Sequence, residues 1–430
     1  MRKEERYILD ICLLYIIYVF LYGIVIKLTI SNGLIFQIKT YIPEFALGLI
    51  TILSIIKNRF QIKRYMLVLL MYSLIVLTFN ICLYGFNQQG LYSMRDVYIP
   101  MVAFCFIGTK VSDKATQDFS NKLVIFFKCY LILGLFLAIM QQIKGWEWTS
   151  TFYTGYSFYG QDPVSKIKIA HNFGLLRAPS LSGNFATFGY YCLIAVIYIA
   201  AYTEKKIVRI FWDIIAIACM VLATNKSAVV AFGVVLLLRQ TVEVRKKSTR
   251  VNRLIIVLLT GIIGVSTLFL IGDNTNTNDI FTSLLERINV WKEILVGTSF
   301  LEVLFPYKQF TYGSGAEGGL AFWDNTYLYS LFTQGIVGTV LWIEAIKRTY
   351  NLRLEEKNIS VHHCAYELTV ALLILGLTVN ITQGRGFLAP YLILISVGFV
   401  GGGGGLLYKL IRNSFAVHFS FNNLKWRCIA

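Results

Sequence analysis

The feature that most constrains this sequence is a succession of long apolar runs, each bounded by charged or polar residues. The hydrocarbon core of a bilayer is about 30 Å thick, and a helix of about 20 apolar residues crosses it. Because lipid offers the backbone no hydrogen-bond partner, such runs must be helical. The runs predict twelve transmembrane helices, over residues 7–27, 42–56, 65–84, 96–109, 122–143, 184–202, 210–224, 227–238, 254–271, 326–346, 365–382 and 388–408.

The composition agrees with a membrane protein. Hydrophobic residues make up 56% of the 430 residues and charged residues 15%, and the mean hydropathy is +0.63. These values lie outside the usual balance of a soluble domain of this size. The predicted fold class is therefore an all-α polytopic membrane protein, with residues 1–430 forming a single integral membrane domain.

The positive charge follows the predicted topology. Most of the 40 lysines and arginines lie in alternate loops and in the two terminal segments. By the positive-inside rule, these loops and both termini are cytoplasmic. The net charge of +17 is thus a topology signal, and nucleic acid is not an expected partner, because binding it requires a basic face on a soluble module.

Two predicted outer loops, 144–183 and 272–325, are long enough to hold a functional site. The first is rich in Trp, Tyr and Phe, which suits either stacking on sugar rings or contact with lipid head groups. The second contains apolar residues at helical spacing around Arg287, which predicts an amphipathic helix. On the inner side, the pair His362–His363 is predicted as exposed residues of the loop 347–364, and no metal site is expected.

Basic residues at helix ends on the predicted outer side run against the topological trend. Guanidinium groups bind phosphate oxygens through two parallel hydrogen bonds, so they suit a pyrophosphate attached to a lipid. Contact with lipid head groups is the alternative explanation for each of them, above all for Lys226 and Arg385. The residues of this kind are Arg177, Lys226, Arg287 and Arg385.

Five stretches, in order along the chain, resemble the bacterial Wzy-type polysaccharide polymerases, which are related to the O-antigen ligases. They are MRDVYIP, RAPSLSGN, ATNKSA, ERINVWKEI and WDNTYLYSLFTQGIVG, and they lie between residues 94 and 338. The resemblance implies a multi-pass helical bundle in the bacterial cytoplasmic (inner) membrane, akin to the GT-C-like, lipid-linked glycosyltransferases. O-antigen ligases often have His-Asn where this chain has Asp324-Asn325, which favours a polymerase over a ligase.

The resemblance implies a metal-independent glycosyltransferase that needs no cofactor. Its donor and acceptor are undecaprenyl-pyrophosphate-linked glycans in the bilayer, and a chain-length regulator and a flippase are candidate protein partners. The product is an O-antigen, capsule or exopolysaccharide. The rival interpretation is a flippase or other transporter of the same lipid-linked units, which is expected to show two related halves; no internal repeat is visible in the sequence.

The reaction needs a group that takes the proton of the acceptor hydroxyl and fixed positive charge for the leaving pyrophosphate. Asp324 is the candidate base, and Arg177 with Arg287 is the candidate pyrophosphate contact. Asp324 is also suited to cap the following helix, and that alternative stays open. Glu286, Glu317 and His171 compete with Asp324 as base. The candidate substrate-binding residues are Asn325, Lys226, Arg385, His171 and Glu317.

Overall fold

The structure, a computed structural model, describes residues 3–29, 32–39, 41–58, 64–85, 113–153, 171–172, 174–241, 291, 299–304, 325–354, 359–378 and 387–397. This part of the chain is mostly helical. The helices are α1 (Lys3–Phe20), α2 (Tyr22–Thr29), α3 (Gly33–Ile38), α4 (Ile42–Asn58), α5 (Arg64–Tyr84), α6 (Asp113–Phe152), α7 (Phe185–Ala201), α8 (Lys206–Leu222), α9 (Lys226–Thr241), α10 (Phe300–Leu304), α11 (Thr326–Leu354), α12 (Ile359–Thr378) and α13 (Leu388–Val397).

The predicted helical character is confirmed wherever a predicted span falls within the described residues. The spans 96–109 and 254–271 lie outside them, and the last span is described as far as Val397. Among the described helices, one segment, Ala115–Phe152, is by itself long and apolar enough to cross a membrane. The pair Arg6–Phe20 and Tyr22–Thr29 meets the same criterion when taken together. The number of membrane crossings therefore stays a prediction.

Several helices extend beyond the apolar runs that predicted them. Helix α6 continues to Phe152 through a kink at Gly145, so residues 144–152 are helical and not part of a loop. The predicted loop 347–364 is also wrong in large part, because α11 runs to Leu354 and α12 begins at Ile359. The pair His362–His363 thus lies in a helix.

The first predicted span is broken into α1 and α2, which meet at an angle of 74°. The bend lets Gly23 of α2 pack directly against Gly183, so closely that a methyl group on Gly23 would lie 2.3 Å from the backbone nitrogen of Gly183. Two small residues permit this approach of backbone to backbone. The bend therefore lies where the segment 177–184 packs against the bundle.

Helix α7 is the centre of the bundle. Every residue from Phe188 to Ala200 is buried, and α6, α8 and α12 pack around this helix. On one side, the ring of Tyr191 stacks on Phe20 of α1 with centroids 4.1 Å apart and planes 7° from parallel. A helix that is apolar on all faces is buried on all faces, which explains its central place.

Helix α11 is kinked at Gly335, which has a φ of 69° in the left-handed region that favours glycine. The hydroxyl of Tyr72 in α5 donates to the carbonyl of Gln334 beside this kink, at 2.7 Å. One turn later, a methyl group on Gly338 would lie 2.6 Å from the ring of Tyr72. The two glycines of the sequence GIVG therefore allow α11 to pack closely against α5.

Candidate functional site

Besides the short helix α3, which Asn32 caps, three helices in the described part of the chain begin with an asparagine cap. Asn184 precedes α7, Asn225 precedes α9 and Asn325 precedes α11. Each side-chain oxygen accepts hydrogen bonds from backbone N–H groups of the first helical turn, at 2.9 to 3.2 Å. These N–H groups have no partner within the helix itself, so the caps stabilise the helix starts.

The three caps lie at one end of the bundle. The side-chain amide of Asn225 donates to the first turn of α7 at 2.8 Å, so α7 and α9 begin together. Arg239 near the end of α9 contacts Glu367 in the first half of α12. Because Tyr198 near the end of α7 also lies close to Cys364 near the start of α12, α12 is antiparallel to both α7 and α9. The amide of Asn325 donates to the carbonyl of Leu377 near the end of α12, at 3.2 Å. We call this the asparagine end of the bundle.

Arg177 lies at the asparagine end. The next residue, Ala178, donates its N–H to the carbonyl of Leu222 at the end of α8, at 3.1 Å. The guanidinium carbon of Arg177 lies 3.7 Å from the centroid of the Phe185 ring, at the start of α7. A guanidinium at this distance is attracted to the face of the ring, which orients its plane. Arg177 is partly buried.

The segment after Arg177 enters the core as a short 3₁₀ turn, Ser180–Ser182, that is completely buried. Ser180 has a φ of 43°, and its N–H donates to the side-chain oxygen of Gln141 in α6 at 3.1 Å. Its hydroxyl donates to the carbonyl of Gly134 at 2.7 Å, and its carbonyl accepts from the hydroxyl of Tyr153. Burial raises the pKa of Tyr153, so this phenol stays protonated as the donor.

Lys226 is also at the asparagine end, because it is the first residue of α9 and directly follows the cap Asn225. The tight turn before it includes Thr224, which has a φ of 49°. The segments around RAPSLSGN and ATNKSA, more than 40 positions apart, are thus joined by hydrogen bonds from Ala178 to Leu222 and from Asn225 to Ala186. The fold brings these two segments together, because neither sequence by itself predicts that it contacts the other.

His171 lies beside the same segment. It belongs to a two-residue strand, β1 (His171–Asn172), which pairs antiparallel with β2 (Leu175–Leu176). In this pairing His171 lies opposite Leu176, the residue before Arg177. This hairpin is a small departure from the predicted all-α fold. Its formation within residues 144–183 places the backbone of His171 close to that of Arg177.

Asn325 caps α11, and this changes how Asp324 is interpreted. The Asn325 oxygen accepts from Tyr327 at 2.9 Å and from Leu328 at 3.1 Å, so the two N–H groups that a cap normally serves are bonded. The capping role considered for Asp324 therefore belongs to its neighbour. A hydrogen-bonding role of Asn325 toward a substrate stays a prediction, since its oxygen and one amide hydrogen are engaged within the protein.

The segment that carries Arg287 is described at Trp291. The Trp291 side chain packs against a buried cluster of Leu77, Tyr329 and Phe332, which joins the end of α5 to the start of α11. Trp291 therefore lies near the asparagine end, four positions from Arg287. The predicted site residues that lie outside the described residues are Asp324, Arg287, Glu286, Arg385 and Glu317.

The electrostatics of the asparagine end favour anions. The N-termini of α7, α9 and α11 and the C-termini of α8 and α12 meet here, so their helix dipoles partly offset one another, and Arg177 and Lys226 add two formal positive charges. Basic side chains at such a place suit phosphate groups, whereas the first-turn N–H groups are already bonded to the asparagine caps. Separately, no known protein family matches this chain, and neither a curated protein nor a solved structure matches it.

A charged cluster that the sequence analysis missed lies at the opposite end of the bundle. Arg239 in α9 donates from Nε and Nη2 to the two carboxylate oxygens of Glu367 in α12, at 2.9 and 2.7 Å. Its Nη1 donates to Asp213 in α8 at 3.1 Å. Arg209, one turn before Asp213, adds a second positive charge near both carboxylates. Two cations therefore balance two anions, and the cluster joins three helices.

A sequence signal for this cluster was present. Asp213 and Glu367 are single acidic residues within apolar helices, in IFWDIIAIA and CAYELTVAL. An ionisable residue at such a position is costly without a partner, so it indicates a specific contact. The sequence did not identify Arg239 as that partner, because Arg239 lies at the edge of a basic loop and resembles the other topology-determining residues.

Proposed function

We propose that this protein is a polytopic membrane glycosyltransferase that joins undecaprenyl-pyrophosphate-linked repeat units into a surface polysaccharide. The observation that carries the proposal is the meeting of the RAPSLSGN and ATNKSA segments at the asparagine end, through the bonds from Ala178 to Leu222 and from Asn225 to Ala186. Both segments contribute a cation, and both belong to the resemblance to polysaccharide polymerases. A lipid-linked pyrophosphate needs several fixed donors at one place.

The surface of the bundle supports a membrane location. Along one face of α6 large apolar side chains are exposed, while polar side chains such as Ser120, Gln141 and Thr149 face the interior. Soluble proteins rarely expose apolar surface on this scale. In the proposed topology the bundle has twelve crossings of the bacterial cytoplasmic membrane and both termini in the cytoplasm. The apolar residues exposed on this helix are Ile125, Ile132, Leu133, Phe136, Ile139 and Ile143.

In the proposed reaction, the acceptor sugar hydroxyl attacks the anomeric carbon of the donor glycan. The hydroxyl proton passes to Asp324, the new glycosidic C–O bond forms, and the bond between the anomeric carbon and the pyrophosphate oxygen breaks. Arg177 and Arg287, with Lys226 and Arg385, meet the negative charge that develops on the pyrophosphate. The helix N-termini of α7 and α9 add to this stabilisation.

The cap at Asn325 supports the role of Asp324 as base. Because the N–H groups at the start of α11 are already bonded to Asn325, the Asp324 carboxylate is not needed as a cap. In this proposal the second amide hydrogen of Asn325 orients the acceptor hydroxyl, while His171 and Glu317 contact the glycan. His171 suits this role because its strand pairs with the residue next to Arg177.

Reconstitution with lipid-linked repeat units tests the proposal. Purified protein in proteoliposomes is supplied with these units, and the products are separated by length. We expect a ladder of lipid-linked oligomers. Movement of units across the bilayer without elongation would instead identify a transporter, and transfer of a glycan to a lipid A-type acceptor without a ladder would identify a ligase.

A further inference from the structure

The peptide of Leu176, immediately before Arg177, is held by one side chain of α6. The side-chain oxygen of Gln142 accepts from the N–H of Leu176 at 3.0 Å, and its amide nitrogen donates to the carbonyl of the same residue. The Gln142 amide thus pairs with a backbone unit as a neighbouring strand does. The same nitrogen lies 3.5 Å from the carbonyl of Leu222.

Arg177 is consequently fixed on both sides. The preceding residue, Leu176, is bonded twice by Gln142, and the following residue, Ala178, is bonded to Leu222. The carbonyl of Leu222 therefore lies within reach of Gln142 and of Ala178 together. Since Leu222 ends the helix before the turn to Lys226, Gln142 lies where the segments carrying the two cations meet.

We propose that Gln142 is a positioning residue for the pyrophosphate contact of Arg177. This inference rests on the proposed function, because it takes Arg177 as a ligand of the lipid-linked pyrophosphate. Gln142 acts through Arg177 by fixing the backbone from which the guanidinium extends, while Phe185 fixes its plane at 3.7 Å. A bidentate contact depends on orientation, so a small displacement of this backbone weakens it.

The neighbouring Gln141 provides a matched control. It has the same chemistry on the same helix, but it bonds Ser180, three residues beyond Arg177, and the hydroxyl of Tyr153. Without Gln141, Ser180 keeps its bonds to the carbonyl of Gly134 and to Tyr153. The change Gln141→Met is therefore expected to lower the melting temperature without moving Leu176.

The test measures the Kd of the purified full chain for undecaprenyl pyrophosphate in detergent micelles, with undecaprenol as the phosphate-free control. Arg177→Gln is expected to weaken binding about 10- to 100-fold, as the loss of a charge-assisted contact does. Gln142→Met is expected to weaken it about 10-fold, and Gln141→Met to change it by less than about twofold. Undecaprenol binding is expected to be the same in all variants.

A double variant tests whether Gln142 acts through Arg177. In an Arg177→Gln background, Gln142→Met is expected to cause no further weakening beyond about twofold, because the two changes remove one contact. A full additional loss would show that Gln142 acts elsewhere and would overturn the inference. Equal weakening by Gln141→Met and Gln142→Met would overturn it too, since that result indicates general loosening.

Failure of the inference and failure of the proposed function give different results. If Arg177→Gln weakens binding and Gln142→Met does not, the inference is wrong and the role of Arg177 stands. If Arg177→Gln leaves binding unchanged, the pyrophosphate role of Arg177 is wrong, and the inference falls with it. If Gln142→Met does not fold, Gln142→Asn replaces it, because Asn keeps a neutral amide one methylene shorter, and a weakening of about threefold is expected.

Discussion

Arg239 and Glu367, 128 positions apart, form a buried ion pair with two hydrogen bonds of 2.9 and 2.7 Å. Their side chains are only 11% and 8% exposed. The pair connects α9 to α12 at the end of the bundle opposite the asparagine caps, and Asp213 extends it to α8. Charge thus holds α8, α9 and α12 together, and at the other end asparagine side chains join α9 to α7 and α11 to α12.

Loss of Arg239 is expected to destabilise the protein strongly. Arg239→Gln leaves the buried carboxylates of Glu367 and Asp213 without the positive charge that is bonded to both of them. Such a loss typically costs about 3–5 kcal/mol of stability. A thermal unfolding experiment in detergent measures this as a lower melting temperature. The control is Lys122→Gln, which removes an exposed pair with Asp10 at 3.1 Å and is expected to cost less than about 1 kcal/mol. Similar melting temperatures for both variants would contradict the prediction.

Asp324→Asn is expected to separate catalysis from helix capping. Because Asn325 caps α11, the change should leave expression and melting temperature unaltered. Loss of a general base lowers the rate about 10²–10⁴-fold, and this should appear as absence of the polymer ladder. Near-normal elongation would shift the role of base to Glu317, Glu286 or His171.

Asn325→Ala, unlike Asp324→Asn, is expected to lower the stability of the protein. It removes the cap of α11 and the bond to Leu377, so a loss of about 1–2 kcal/mol in stability is expected. Asn325→Asp keeps an oxygen for the helix N–H groups and loses only the donor to Leu377, so its melting temperature should lie between those of Asn325→Ala and the wild type. A melting temperature for Asn325→Asp below that of Asn325→Ala would contradict the assignment of the cap.

Gly183→Ala is expected to disrupt the packing of α2 against the buried turn. A methyl group there would lie 2.8 Å from Cα of Gly23, and the φ of 74° is unfavourable for alanine. Gly233→Ala is the control, because Gly233 lies within α9 with no atom near the added methyl group. We expect the first variant to melt at a lower temperature and the second to be unchanged or about 0.5–1 kcal/mol more stable. Equal melting temperatures would contradict the close approach.

Thiol labelling in cells tests the topology. Gly160→Cys and Gly315→Cys, in a background without the native cysteines, should react with an impermeant reagent from outside, because both lie in predicted outer loops. Ser248→Cys, in the basic segment 239–253, should react only after the inner face is exposed. The opposite pattern would invert the predicted orientation and place the asparagine end in the cytoplasm.

The positions of the helices were predictable, because apolar runs of sufficient length leave the backbone few alternatives to a helix. The ends of the helices were less predictable. Helix α6 reaches Phe152 although its apolar run ends near residue 143 and the residues after the kink at Gly145, WEWTSTF, are mostly weak helix formers. Burial of Thr149 in this part shows that packing, and not local preference, accompanies the extension. The sequence analysis considered Asp324 as the cap of the following helix, and the structure shows that Asn325 caps α11.

The sequence by itself determined which segments are helical, which loops are basic and which residue types suit a pyrophosphate site. Only the tertiary structure decided which of these residues meet. Arg177 and Lys226 share one end because Ala178 bonds to Leu222 and Asn225 bonds to α7, and Arg239 pairs with Glu367 across 128 positions. The physical reason is that helix formation depends on local residues, whereas these contacts depend on how the helices pack, which a local pattern does not encode.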